Sequence, residues 1–296
     1  MTDVLEHTFH GEDPLEELVA PKAHRKPKLN WVFWVFLSWI GIVIVTSVFA
    51  GLLGLDDPTN QNFEAINQGP TASHILGTDD LGRDILSRIV YGARVSLVVG
   101  FGAMIFAMAI GGTLGMVAAY RRGPVDNLVS AASYVMLAFP ALVAVIAIVS
   151  FWGHEIWKIT LIIGIASTPL VYRVVRASTL SYATRDFVTA AKAQGAKDSR
   201  ILVRELLPNI LPAVISFFLI GVASVIILEG ALAFLGLSVD APTPSWGNMI
   251  NESRTYLSDN PWLALFPSLA MFLFLISLNI VGDTLRSFLD VQEGKL

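Results

Sequence analysis

No cysteine occurs among the 296 residues, which excludes disulfides, thiolate chemistry and cysteine metal sites. Charge is also scarce: Asp, Glu, Lys and Arg make up 15% of the chain, against about 25% in an ordinary soluble protein. The net charge of −4 lacks the basic excess that nucleic-acid binding requires. The five histidines show no ligand spacing, and His154–Glu155 sits in no HExxH pattern, so a structural or surface role fits it better. No GxxxxGK[ST] loop is present, so the chain is not equipped to bind and hydrolyse ATP alone. GxSxG and GxGxxG units are missing too. Asp56–Asp57 and Asp79–Asp80 are adjacent carboxylates that project differently and read as solvated loop charges. Nothing here points to an enzyme, a metal or a cofactor in this chain.

Apolar sequence is what the chain has in abundance. It is 54% hydrophobic, with a mean hydropathy of +0.63. A membrane span needs about 20 mostly apolar residues. Six segments qualify: Trp31–Leu53, Val95–Ala119, Leu128–Phe151, Ile159–Val175, Leu211–Leu235 and Trp262–Val281. The expected fold class is an all-α integral membrane protein with six transmembrane helices. Of the 20 Lys and Arg residues, fifteen fall on one side of these spans, in the N-terminal tail, at Arg121–Arg122, around the loop after the fourth span, and near the C-terminus. By the positive-inside rule both termini and that loop face the cytosol. A cleaved signal peptide is the weaker reading of the first span, because its apolar core exceeds roughly 7–15 residues and a polar tail precedes it. The expected organisation is a flexible cytosolic tail (1–30), a first span (31–53), an external loop (54–94), a five-helix core (95–290) with a cytosolic loop at 183–208, and a short cytosolic tail (291–296).

The loop DFVTAAKAQGAKDSRILVRELLP (Asp186–Pro208) is polar and basic between apolar spans. It predicts a short helix capped by Asp186 and stopped at Gly195, then a second helix starting at Asp198 or Ser199 and halting at Pro208. Ala190, Ala191 and Ala193 leave the first helix with little bulk, so another protein can approach closely. In GTDDLGRDILSRIVYGARVSL (Gly77–Leu97), Leu81, Ile85, Ile89, Ala93 and Leu97 recur at helical spacing opposite Arg83, Ser87 and Tyr91. This predicts an interfacial helix, with an Asp84–Arg88 ion pair at i,i+4. Together with Asp79 and Arg83 these charges are candidates for an outer gate; a plain amphipathic linker is the alternative.

Gly111 and Gly115 form a GxxxG pair suited to close packing, within the chain or against a second chain. Pro140, Pro169, Pro212 and Pro267 lie in or near spans and bend or break helices locally. Glu229 lies in the external half of the fifth span, where a carboxylate must face protein or water. A structural or partner-interface role is favoured over substrate contact. Asn279 and Asp283 in the last span are weaker versions of the same signal.

Thr189-Ala190-Ala191, then Gly195, then Leu207-Pro208 resembles the EAA loop of ABC importer permeases. The family's Glu is Thr189 here, and a usually hydrophobic position is Glu205. Gly77–Leu97, FLGLSVDAPTPSWGNMI (Phe234–Ile250) and NIVGDTLRSFLD (Asn279–Asp290) are similar to the C-type permease of dipeptide and oligopeptide importers. The resemblance covers Trp31 to Asp290. It implies a type I importer permease fold in the bacterial inner membrane, with Asp186, Thr189, Ala190, Ala191, Gly195, Leu207 and Pro208 in the segment that couples to the ATPase. It also implies a B-type permease paralogue, two cytosolic ATPase subunits or domains that bind ATP and Mg, an external peptide-binding protein, and a peptide cargo. Nickel complexes, glutathione or antimicrobial peptides are cargoes of related permeases. A self-sufficient secondary transporter fits less well, for want of a clear inverted repeat and of mid-membrane charges. A membrane hydrolase or transferase lacks any converging catalytic groups.

Overall fold

The computed structural model describes residues 29–293. Most of the expected N-terminal tail, and the last three residues, lie outside them. Among the described residues there is no strand, only an isolated bridge between Thr78 and Asp84. The helices are α1 (Trp31–Val48), α2 (Ile85–Arg121), α3 (Gly123–Ala138), α4 (Ala141–Trp152), α5 (Ile156–Tyr182), α6 (Asp186–Ala193), α7 (Asp198–Phe234), α8 (Trp246–Glu252) and α9 (Trp262–Glu293). Five of them, α1, α2, α5, α7 and α9, are long and apolar enough to cross a membrane. The pair α3 and α4 makes a sixth span if counted as one.

Within the expected span Leu128–Phe151 the chain breaks at Pro140, as that residue predicted, and α3 and α4 meet at 83°. The cause is local. Pro140 has no N–H to donate, and its ring pushes Phe139 out of the helical region, to φ −90° and ψ 133°. Pro169, Pro212 and Pro267 lie inside continuous helices instead. The first span is shorter than expected: α1 stops at Val48, and a single 3-10 turn, Ala50–Leu52, leads to Gly54 at φ +66°.

The core is built where α2 lies along α5. A Cβ on Gly111 would meet the Thr168 carbonyl oxygen at 2.6 Å, and one on Gly115 would meet the Tyr172 oxygen at 2.7 Å. The two backbones therefore touch, and the small pair is used inside the chain rather than against a second one. Around this contact Val99, Ala103, Ile163, Val171, Ile226 and Phe274 are fully or almost fully buried. Trp31, Val98, Ile227 and Phe272 remain exposed on the outside of the bundle, as lipid-facing side chains are.

The interfacial-helix expectation is also corrected. α2 begins at Ile85 and continues as one rod through a π-helical turn, Met108–Gly112, to Arg121. The side expected to be wet is buried: Arg83 is 3% exposed, Ser87 0% and Arg88 1%. Residues 49–84 and α8 cover it and supply its polar partners.

Candidate functional site

At one end of the bundle the α5–α7 connection carries α6. Its start differs from expectation. Arg185 occupies the N-cap, with no side-chain cap bond, and Asp186 is the first helical residue. There its carboxylate still faces the positive end of the helix dipole. The stop is a paired closure at Gly195: Gly195 N–H donates to Lys192 O at 2.9 Å, and Ala196 N–H to Ala191 O at 3.0 Å. This geometry needs the left-handed φ of +77° that Gly195 adopts.

The second helix does not halt at Pro208. α7 runs from Asp198 to Phe234, with Ile201–Leu206 in π-helical form. The wider turn just ahead of Pro208 accommodates a residue that has no N–H and would crowd the carbonyl four residues back. Asn209 Nδ2 donates to the Glu205 carbonyl at this point.

Val188, Ile201 and Leu206 form a small buried cluster that fixes α6 to the bundle, flanked by Tyr120, Tyr182, Ala191, Ala196 and Leu202. Lys192 Nζ lies 4.8 Å from the Tyr120 ring centre, and Tyr120 Oη bonds Asp198 at 3.1 Å. Asp186, Thr189, Ala190, Ala193 and Gly195 stay exposed, while Ala191 is half-buried against the cluster. The small size of Ala191 thus serves packing inside the chain, and the open face belongs to Ala190. Leu207 is half-buried and Pro208 exposed. Phe187, which sequence reasoning passed over, is 36% exposed on the helix that carries these alanines. An aromatic in the first turn of a short polar helix was the available signal.

At the opposite end, two arginines share three carboxylates. Arg83 Nε bonds Asp79 at 2.6 Å and its Nη2 reaches Glu252 at 3.1 Å. Arg88 bonds Glu252 at 2.8 Å and approaches Asp79 at 3.3 Å. Asp80 stands 3.6 Å from Arg83. Burial, and then the charge of Asp79, pushes the Asp80 carboxyl above its ordinary value. The expected Asp84–Arg88 ion pair is not what forms. Asp84 caps α2 by accepting from Ser87 N at 2.7 Å and bonds His74 at 3.1 Å. These charges clamp the α1–α2 loop to α8 through ion pairs with one another.

Glu229 is 0% exposed and accepts from Ser238 at 2.6 Å, Ser245 at 3.0 Å and Ser96 at 3.4 Å. Its hydrogen-bond partners are three hydroxyls of its own chain. Asn279 Nδ2 donates to Leu275 O of its own helix at 2.8 Å. Sequence reasoning missed one further network. Arg176 of α5 forks onto Asp126 of α3 at 2.5 and 2.6 Å, and Tyr172 donates to the same carboxylate at 3.2 Å.

Five or six apolar helices, with a small docked helix between two of the long ones, make this a multi-span membrane protein of the all-α class. The chain belongs to the family described as binding-protein-dependent transport system inner membrane component, whose profile matches residues 111–291. It is 41% identical to the dipeptide transport system permease protein DppC of Alkalihalophilus pseudofirmus, over 86% of this chain and 85% of that one. It is 38% identical to the glutathione transport system permease protein GsiD of Pectobacterium atrosepticum, over 81% and 79% respectively. Among solved structures, a chain of the inward-facing MetNI methionine ABC transporter superposes with a TM-score of 0.57 at 20% identity. That match covers 67% of this chain and 94% of the other, and it shows the shared fold.

Proposed function

We propose that this chain forms half of the membrane pathway of an ATP-driven peptide importer. α6 is its contact with the ATPase. One observation carries the reading: an exposed, small-faced helix, pinned by Val188, Ile201 and Leu206, in a chain without a phosphate-binding loop. A helix so placed can receive force but cannot generate it. Energy then comes from two cytosolic ATPase subunits or domains, which bind ATP and Mg, and a B-type permease supplies the other half of the pathway. An external binding protein delivers the cargo to the end clamped by Arg83, Arg88 and Glu252. Both termini lie in the cytosol on the strength of the Lys and Arg asymmetry.

The resemblance to a dipeptide permease supports peptide cargo. The glutathione permease among the relatives favours a second cargo within the same chemistry, a tripeptide with free acid groups. Reconstitution in proteoliposomes with the partner permease, ATPases and binding protein tests the reading. ATP-dependent uptake of labelled di- or tripeptide is expected only when all parts are present. Uptake by this chain alone under an ion gradient would overturn it.

A further inference from the structure

One face of α5 carries a charge that nothing in the described chain neutralises. Arg173 is exposed, and among the described residues no carboxylate lies within ion-pair distance of it. Arg176, a turn further on, is the opposite case, with both arms of its guanidinium on Asp126. Arg173 lies two residues before Val175, where the expected span Ile159–Val175 ends and α5 runs on to Tyr182. Near a span end a guanidinium reaches water, so this face is open to solvent, to cargo or to the partner permease.

The space beside it is shaped as a groove. Arg173, Ser130, Tyr134 and Leu170 line a cavity of about 440 Å³. Leu170 also borders the next cavity along the helix, of about 250 Å³, which adds Ser167 and Ser224. The groove is therefore apolar with scattered hydroxyls. Its charge is a single uncompensated cation, because Asp126 cancels Arg176.

We propose that Arg173 is the acid-end recognition residue of the pathway, receiving the C-terminal carboxylate of a peptide as it passes through this groove. The proposal rests on the peptide-import reading above. A guanidinium presents two parallel N–H donors that match a carboxylate, and an apolar wall strengthens that pairing. The groove thereby favours cargo with a free acid end over cargo that is neutral or cationic there.

The test uses the complete complex in proteoliposomes and compares uptake of trialanine with that of trialanine amide, which lacks the terminal charge. The same saturating binding protein serves every variant, so its own preference cancels between them. The wild-type complex is expected to favour the free acid by roughly tenfold, the effect of one charge-assisted pair. In Arg173→Gln that ratio falls toward one, in a complex that still assembles. Arg173→Lys keeps part of the preference. An Arg173→Gln complex that retains the wild-type ratio overturns the assignment, as does a wild-type complex that imports both peptides equally; either leaves peptide import standing. Import of neither peptide by the wild-type complex removes the peptide reading, and this proposal with it.

Discussion

Gly195→Val isolates the mechanical role proposed for the loop. Gly195 sits at φ +77°, and a Cβ built on it meets no heavy atom within 4 Å. The substitution therefore causes no clash, and its whole cost is conformational. An L residue in the left-handed region costs about 1–2 kcal/mol, and β-branching adds to it. That energy shifts the population of the closed turn by roughly 5–30-fold, loosening the bonds from Gly195 N–H to Lys192 O and from Ala196 N–H to Ala191 O. The anchor of Val188, Ile201 and Leu206 is untouched, so membrane insertion and yield stay normal. The assay is ATP-driven uptake by the reconstituted complex, read beside ATP hydrolysis; uptake falls while hydrolysis continues. Asn tolerates the left-handed region, so Gly195→Asn recovers most of the uptake. A well-expressed Gly195→Val complex with normal uptake refutes the reasoning.

Three further outcomes are expected. Glu229→Gln keeps an acceptor for Ser238 and Ser245 and preserves uptake, whereas Glu229→Lys buries a charge among hydroxyls and lowers the Tm of the purified complex; equal loss of uptake in both would point to an essential carboxylate. Gly115→Ala places a Cβ 2.7 Å from the Tyr172 oxygen, so α2 and α5 must separate and Tm falls; an unchanged Tm would show that the contact has slack. The raised pKa of Asp80 means that the folded state holds its proton more tightly than the unfolded state. Stability is therefore lost as pH rises from about 4, the ordinary Asp value, through the raised one. Across that window the Tm of the wild type falls relative to Asp80→Asn, and parallel Tm curves would contradict this.

The long apolar runs made the bundle legible, and the Pro140 break was legible because a proline cannot donate and constrains the residue before it. The turn at Gly195 was readable for a similar reason, since few residues accept its φ. Pro208 misled because a stop rule sees only the missing N–H, whereas a π-helical turn, Ile201–Leu206, lets the helix continue. At the other end the apolar period of α2 was real, but its polar side was read as wet. The carboxylate that satisfies Arg88 lies 164 residues away, beyond any local pattern. The Asp126–Arg176 fork escaped for the same reason, with 50 residues between its partners. Ala191 and Ala190 look alike in sequence, and only the position of Val188 separates the packed one from the open one.

The uninterrupted course of α7 has a mechanical consequence. Its 37 residues make a rod of about 55 Å, and one end emerges directly from the loop that holds α6. Near the far end, the carboxylate of Glu229 is tied to Ser238 and Ser245, leading into α8 and the clamp on Arg88. A tilt imposed at the loop therefore reaches the opposite face of the bundle through covalent helix, without relay by loosely packed side chains. Stroke at one face and swing at the other are two readings of a single lever.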